Sequence, residues 1–482
     1  MEVLLVNPNS SLIEKSWAYR KFLTPIAPLN LAYLAGVLEK EGIVVSIYDQ
    51  YANKAPNDDL LALIKNKLPA VVGISVLTPV LSDVKRLVEG IRKIDKKIRV
   101  VLGNVHPSCF PDEVIADGLA DIVVRGEGEA TALELCQRIF SNQSLHGVAG
   151  ITFSSDGAVI HNSDRAPIND LNSLPFPAWH LLDLDKYREV PQAGIKKVRA
   201  FPILASRGCT HSCYYCSQDK IHGKVRYRDL NSVANEMEYF YEELGIKMFG
   251  FCDAYFPANE KIGLEFCDIL ISRGLHRKIK WCTESRVDKV TPKLLRAMKE
   301  SGLHLMMYGI EVGNEEILKS TFKGTTLAQA RQAVKETKKA KIFMLGLFML
   351  GLPGETAQTC RETIEFAKEL DCDISKFNIA TPYPGSRFFE DFKMKDKITS
   401  PEMFTSWLDW TPELGNLVYT PFSMTSDELR YLQRRAMLEF YLRPKVFFRH
   451  VFSGITSFKN IFYGGIWLII LFATSLKKKV RK

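Results

Sequence analysis

The chain has 482 residues, 46% hydrophobic and 25% charged, with ten cysteines and a formal net charge of +9. That length accommodates two or three domains, and that balance excludes a disordered or fibrous chain. Nine of the 64 basic residues follow Glu439, beyond which no acidic residue occurs, so the body sets 55 Lys and Arg against 55 Asp and Glu and gives no basic face for nucleic acid.

Residues 1–145 alternate strand-like and helix-like runs. Strands are expected at 2–6, 44–48, 70–75, 99–102 and 122–124, with helices at 29–41, 58–67, 81–93, 111–117 and 131–140. This pattern predicts a doubly wound, Rossmann-like parallel sheet, whose ligand crevice lies beyond the carboxyl ends of the strands. The opening MEVLLVNPNSS has no basic region before its short apolar run, so it reads as a first strand and not a signal peptide. With ten cysteines in no paired pattern, a reducing, cytoplasmic setting is expected.

The expected strand ends carry Asn7, Ser75 with Thr78, the run Gly103 to Pro107 that contains His106, and Gly126, Glu127 and Gly128 ahead of Glu129. A loop through Pro28 adds to them. Small residues there let a flat ligand approach the backbone, although plain turns and helix caps explain each segment taken alone. His106 sits in an expected turn, where a histidine is more often a hydrogen-bonding residue than a ligand.

Residues 146–198 read as a connector, with a hairpin about 154–157 and a proline-rich stretch at 174–179. A second alternation fills 199–400, with strands at 202–206, 248–252, 280–283, 305–311, 343–350 and 376–381 and helices at 232–244, 326–339 and 356–370. Six such units predict a partial (β/α)6 barrel, with its chemistry at the carboxyl ends of the strands.

Directly after the first of these strands, Cys209, Cys213 and Cys216 form a Cys-x3-Cys-x2-Cys triplet. A 4Fe–4S cube normally takes four cysteines, so three would leave one iron open to a ligand. The alternative is a zinc or structural role, but no second cysteine pair completes a tetrahedron.

Residues 401–439 are expected to be a helical, substrate-lining region, with Phe404, Trp407 and Trp410 as pocket or core and a helix at 429–441 as a possible lid. Residues 440–482 form a tail that is apolar at 461–476 and ends in KKKVRK. Its apolar run is shorter than the ~20 residues a spanning helix needs. The combination suits the surface of an anionic membrane; a hairpin packed on the protein's own core is the alternative.

The triplet, with Tyr215 in its aromatic slot, resembles the Cys-x3-Cys-x-aromatic-Cys signature of the radical S-adenosylmethionine (SAM) superfamily. The resemblance implies that Cys209, Cys213 and Cys216 hold a 4Fe–4S cluster whose open iron chelates SAM, and that reduction cleaves SAM to a 5'-deoxyadenosyl radical. It further implies an external one-electron reductant, a flavodoxin or ferredoxin. Segments at later strand ends match the class B pattern and would place Tyr215, Asp253, Arg286, Glu311, Gly351, Gly354, Pro382 and Tyr383 around SAM, with Arg286 forking onto its methionyl carboxylate.

The N-terminal domain resembles the cobalamin (B12) binding domain found ahead of class B radical SAM enzymes. That resemblance implies cobalamin contacts from Asn7, Pro28, Ser75, Thr78, Gly103, His106, Gly126, Glu127 and Gly128. The Asp-x-His-x-x-Gly motif that places a histidine on cobalt is missing from the sequence, so cobalamin is expected without a protein histidine on its lower face.

Together the resemblances imply cobalamin-dependent methylation of an unactivated carbon in a small-molecule or lipid-like substrate. A rival within the same architecture resembles the anaerobic magnesium-protoporphyrin monomethyl ester cyclase. Methylthio transfer to tRNA would call for additional N-terminal cluster cysteines, and a non-catalytic sensor would not need an open iron. The tail adds the expectation of a cytoplasmic enzyme peripheral to the inner face of the membrane.

Overall fold

The computed structural model describes residues 1–9, 25–187, 199–394 and 417–452. Phe404, Trp407, Trp410 and the apolar run 461–476 lie outside the described residues.

In β1 (Glu2–Asn7), Val3 and Leu5 pack on one side of the sheet and Leu4 and Val6 on the other, each in a separate buried cluster. A strand buried on both faces reads as a continuous apolar run, and that is why the N-terminal strands are visible in sequence. β2 (Val44–Asp49), β3 (Val71–Ser75), β4 (Arg99–Gly103) and β5 (Ile122–Val124) join it in the parallel order 2-1-3-4-5. Helices Leu29–Lys40 and Glu129–Phe140 cover one face; Asn57–Lys67 and Leu81–Ile94 cover the other. The doubly wound expectation holds.

The sheet is larger than the sequence implied. The hairpin of β6 (Ile151–Ser155) and β7 (Ala158–His161), expected in a connector, adds two antiparallel strands beside β5 and completes a seven-stranded sheet. The expected turn at His106 is a short helix, Val105–Cys109, whose first amide is capped by the Asn104 side chain at 2.7 Å.

The second domain is an open, all-parallel barrel. β8 (Ala200–Ile203) is one edge and is followed by β11 (Met248–Phe251), β12 (Lys280–Ser285), β13 (Leu303–Glu311), β14 (Phe343–Leu350) and β15 (Ile374–Ile379). Between β8 and β11, β9 (Ser206–Arg207) and β10 (Arg226–Tyr227) form a small antiparallel ribbon. Met248, Cys282, Leu305 and Leu345 plug the lower barrel.

Helix Ser426–Tyr441 packs along helix Ala357–Leu370 and β15, with Gln433 donating to the Phe377 carbonyl at 2.9 Å. It is therefore an outer wall of the barrel, not a lid over the mouth. Helix Pro444–Phe452 continues from it. Arg443, Lys445 and Arg449 all reach Asp371, at 3.2, 2.8 and 3.3 Å, where the chain turns to enter β15. Among the described residues no helix is long and apolar enough to cross a membrane.

Candidate functional site

Gly208 fixes the entry to the cysteine loop. It has φ +88°, and a Cβ there would stand 2.6 Å from the carbonyl oxygens of both Gly223 and Lys224, so the close approach of the β9–β10 ribbon requires glycine. Beyond it the loop is tied to the far side of the barrel: Tyr214 N–H donates to the Thr321 carbonyl at 2.8 Å, and Phe388 N–H donates to the Tyr214 carbonyl at 2.9 Å. Within the loop, Cys209 Sγ accepts from His211 N–H at 3.4 Å and the Cys213 carbonyl accepts from Cys216 N–H at 3.0 Å.

The three thiols are half-buried and unbridged. No three His, Cys, Asp or Glu side chains among the described residues converge on a single-ion site, whereas a zinc ion would need its ligands gathered on one point. A cube binds each sulfur to a different iron, and the chemistry of this donor set fits it. Burial pushes the Cys213 thiol up, opposed by the positive charges of Lys323 and Arg286.

At the barrel mouth, β13 ends in a register shift between Gly309 and Glu311, and Glu311 itself has φ +72°. Such irregularities re-aim a side chain. Glu311 is paired with Lys323, whose Nζ lies 3.4 Å from the Tyr215 hydroxyl. Burial, followed by the charge of Glu311, raises the Tyr215 phenol well above its usual range, so it stays protonated.

Asp253 and Arg286 are both bonded to their own chain. Asp253 accepts from Ala205 N–H at 3.1 Å and from the Ser206 hydroxyl at 2.6 Å, tying the end of β11 to the junction of β8 and β9, and burial pushes its carboxyl up to about 6. Arg286 donates to both carboxylate oxygens of Asp288, at 2.9 and 3.3 Å, and to the Lys323 carbonyl at 2.8 Å.

Gly351 and Gly354 both have positive φ. A Cβ on Gly351 would lie 2.6 Å from Leu429, and the buried Glu355 carboxylate accepts from the Gly351 and Leu352 amides at 2.6 and 2.8 Å. Pro382 is buried and Tyr383 exposed at the end of β15.

Between the domains lies a cavity of about 340 Å³. Its inner part runs between the sheet and the helices Leu29–Lys40 and Glu129–Phe140, walled by Leu5, Leu34, Leu38, Val71, Gly73 and Leu135. Its mouth is shared by Ser75, Gly103, Gly126, Glu127 and Gly128 from the first domain and Ser206, Arg207, Gly208, His222 and Cys252 from the second. A Cβ on Gly126 would meet nothing within 4 Å. An apolar slot behind a glycine-lined mouth fits a large flat ligand with an apolar appendage, as expected for cobalamin.

Five of the nine expected cobalamin residues therefore lie on the wall. Asn7, Pro28, Thr78 and His106 do not. Asn7 donates to Asp49 at 3.0 Å, Pro28 precedes the first helix, and His106 is buried with its Nδ1 3.1 Å from the Thr78 hydroxyl. Burial pushes the His106 imidazole down to about 4. No histidine of the first domain faces the cavity among the residues that wall it.

An ion-pair network that sequence reasoning missed joins the two halves of the mouth. Arg207 pairs with Glu129 and lies 3.6 Å from Glu127, while Arg226 binds Glu127 through two bonds of 2.9 and 2.7 Å. Arg207 also lies over the Tyr33 ring, 5.5 Å from its centroid, and Arg228 donates to the Tyr33 hydroxyl at 3.3 Å. All four ion-pairing side chains are about one-tenth exposed. The one sequence signal was the position of Arg207, two residues before Cys209.

Comparison with known proteins accords with this division of labour. A B12 binding domain model matches residues 18–136, and a Radical SAM superfamily model matches 203–367. The chain is 34% identical over 457 residues to an uncharacterized methyltransferase of Pyrococcus horikoshii, spanning 94% of this chain and 95% of that protein. It is 29% identical over 416 residues to the anaerobic magnesium-protoporphyrin IX monomethyl ester cyclase of Rubrivivax gelatinosus, spanning 84% of this chain and 72% of that protein. It also superimposes on the radical SAM methyltransferase TsrM of Kitasatospora setae, solved with cobalamin and a 4Fe–4S cluster bound, with a TM-score of 0.70 and 18% identity over 92% of this chain and 89% of that one. At that identity the likeness is one of fold.

Proposed function

The chain belongs to the family of B12-binding radical SAM enzymes, and from that premise we propose that it methylates an unactivated carbon of a small-molecule or lipid-like substrate. The observation that carries this reading is the shared mouth: the cavity of the B12 domain opens onto the segment that leads into the cysteine triplet, with both domains contributing to its wall. When bound, the cluster supplies the electron that cleaves SAM, and cobalamin supplies the methyl group.

The protein's own part is positioning and exclusion of water. Cys209, Cys213 and Cys216 would hold the cluster on a loop pinned at Tyr214. Tyr215, Glu311 and the backbone at Gly351, Gly354, Pro382 and Tyr383 would border SAM at the strand ends. Asp253 and Arg286 act on that site by fixing the β8–β9 junction and the Lys323 segment. Ser75, Gly103, Gly126, Glu127 and Gly128 would border cobalamin, and the apolar wall behind them keeps water from its appendage. The enzyme draws its electron from an external reductant, for which a flavodoxin or ferredoxin is the class we propose.

The cyclase relative favours a second reading, oxidation or ring formation in the same architecture. Anaerobic reconstitution with cluster, cobalamin and methyl-labelled SAM, followed by mass spectrometry of an incubated cell extract, separates the two. Label in a product supports methyl transfer. Deoxyadenosine formed without label transfer supports the cyclase reading and overturns ours. The apolar, basic composition of residues 440–482 supports a substrate met at the inner membrane surface; a chain truncated after Glu439 that partitions like the full chain between membrane and soluble fractions would refute this.

A further inference from the structure

Nothing in the backbone of β3 asks for the glycine at its centre. Gly73 lies opposite Leu5 of β1 and Val101 of β4 in ordinary strand conformation, in the middle of the sheet. Glycine inside a strand weakens it and marks a place where a ligand or another backbone comes close. No backbone does so here. Beyond its chain neighbours, the one atom among the described residues that a Cβ would meet within 4 Å is Leu5 Cδ2, at 3.0 Å. The missing side chain opens the inner slot of the cavity, between the sheet and the helices Leu29–Lys40 and Glu129–Phe140.

The slot changes character along its length. At its entrance the Ser75 hydroxyl accepts from Asn30 at 2.8 Å and from Asn104 at 2.9 Å, which makes a polar collar at the end of β3. From there the wall follows β3 back through Gly73 to Val71, about 13 Å at the rise of a parallel strand. Below the collar the sheet contributes Val3, Leu5, Val71 and Val101, and the facing helices contribute Leu38 and Leu135. The amides of these strands are engaged in the parallel ladder. Cys136, on the same wall, offers only a weakly bonding thiol.

A slot between a sheet and its covering helices has the width of one side-chain layer, which a flat bicyclic base fills and a corrin with its amide arms does not. The corrin therefore belongs at the glycine-lined mouth, and the part of the cofactor that can enter is its nucleotide appendage. We propose that the slot sorts cobamides by the base of that appendage, admitting dimethylbenzimidazole and refusing adenine, with Gly73 as the residue that makes the room. The proposal rests on the reading of the first domain as a cobalamin site. Dimethylbenzimidazole carries two methyl groups and C–H edges on its outer ring, and an aliphatic wall buries these favourably. Adenine puts two ring nitrogens and an amino group on that ring, and each would be stripped of water with no bond in return. The ribose and phosphate that precede the base stay at the collar, where the Ser75 hydroxyl, having accepted twice, keeps its own proton to donate.

The test measures equilibrium binding of three corrinoids to the full chain, by dialysis and by visible spectrum: cobalamin, its adenine-bearing counterpart, and cobinamide, which lacks the nucleotide. Wild-type protein should bind cobalamin roughly ten- to hundredfold more tightly than either of the others. Equal binding of cobalamin and the adenine form, or of cobalamin and cobinamide, overturns the proposal. Gly73→Val, which fills the slot, should weaken cobalamin binding roughly tenfold or more and leave cobinamide unchanged. A cobalamin-to-cobinamide ratio that keeps its wild-type value overturns the role of Gly73. Leu135→Gln leaves the sheet intact and supplies a donor and an acceptor at the wall, so the preference for cobalamin over the adenine form should shrink severalfold. An unchanged preference overturns the account of it, even where Gly73→Val does not fold. Wild-type protein that binds none of the three overturns the cobalamin reading itself.

Discussion

Arg207 reaches across the domain boundary to the carboxylate of Glu129, so the residue two positions before the first cysteine of the triplet is ion-paired to the glycine-rich segment of the other domain. Glu127 and Glu129 are almost fully buried, and an orphaned buried charge is costly. Arg207→Gln is expected to destabilise the protein by about 3 kcal/mol. Glu129→Gln should cost less, because Arg207 keeps Glu127 at 3.6 Å. Urea unfolding of the two variants measures both, and a loss under about 1 kcal/mol for Arg207→Gln would place the pair among ordinary solvent-screened bridges.

Gly208→Ala should empty the cluster site without touching a cysteine. The new Cβ would collide with two carbonyl oxygens at 2.6 Å while the backbone is held at φ +88°, and relief requires the β9–β10 ribbon to part. Iron content and the charge-transfer absorbance of the reconstituted protein are expected to fall severalfold relative to wild type, with cobalamin still taken up. Full iron occupancy in the variant would show that the ribbon does not set the loop.

Glu355 makes stability depend on pH in an unusual direction. Burial pushes its carboxyl up to about 7 from a reference of 4.5, so the folded state holds a proton that the unfolded chain releases. Its contribution is complete below about pH 4.5 and is lost as pH rises through 7, a swing of a few kcal/mol at most. Glu355→Gln, which can still accept from the Gly351 and Leu352 amides, should flatten that slope when urea midpoints are compared at pH 5 and 7.5. An unchanged slope would exclude Glu355 as its source.

His106→Gln should bind cobalamin with an unaltered visible spectrum, because His106 faces Thr78 and Phe110 inside the domain. Its imidazole is pushed down to about 4 from 6.5, so the neutral side chain contributes fully above pH 6.5 and loses that contribution as pH falls toward 4. The variant should lack this acid-side loss. A shifted cobalt spectrum in His106→Gln would instead mark the histidine as a ligand.

Strands buried on both faces could be read from the sequence almost to the residue: 122–124 and 343–350 coincide with β5 and β14. The first barrel strand could not, because what ends it is distant. The Ala205 amide is taken by Asp253, 48 positions away, and the chain resumes as the β9–β10 ribbon instead of continuing one strand. The run containing His106 looked like a turn because its helix depends on a single side-chain cap from Asn104.

In the site, the cysteine spacing and the glycines at the strand ends are local and legible. Lys323 and Arg226 are not, since each meets its partners only when Tyr215, Glu311 or Glu127 is brought to it by the fold. Arg286 is legible as an arginine at a strand end, whereas its bond to the Lys323 carbonyl, 37 positions away, is not.

Asp371 has a consequence for how strongly the chain's end can be drawn to anionic lipid. Arg443, Lys445 and Arg449 spend their charge on this single carboxylate at the foot of the barrel. One carboxylate offsets only one of those three charges, so of the nine positive charges beyond Glu439 a net eight remain to attract lipid headgroups. At about 1 kcal/mol per basic residue, that subtracts about 1 kcal/mol from the attraction that residue counting alone would assign.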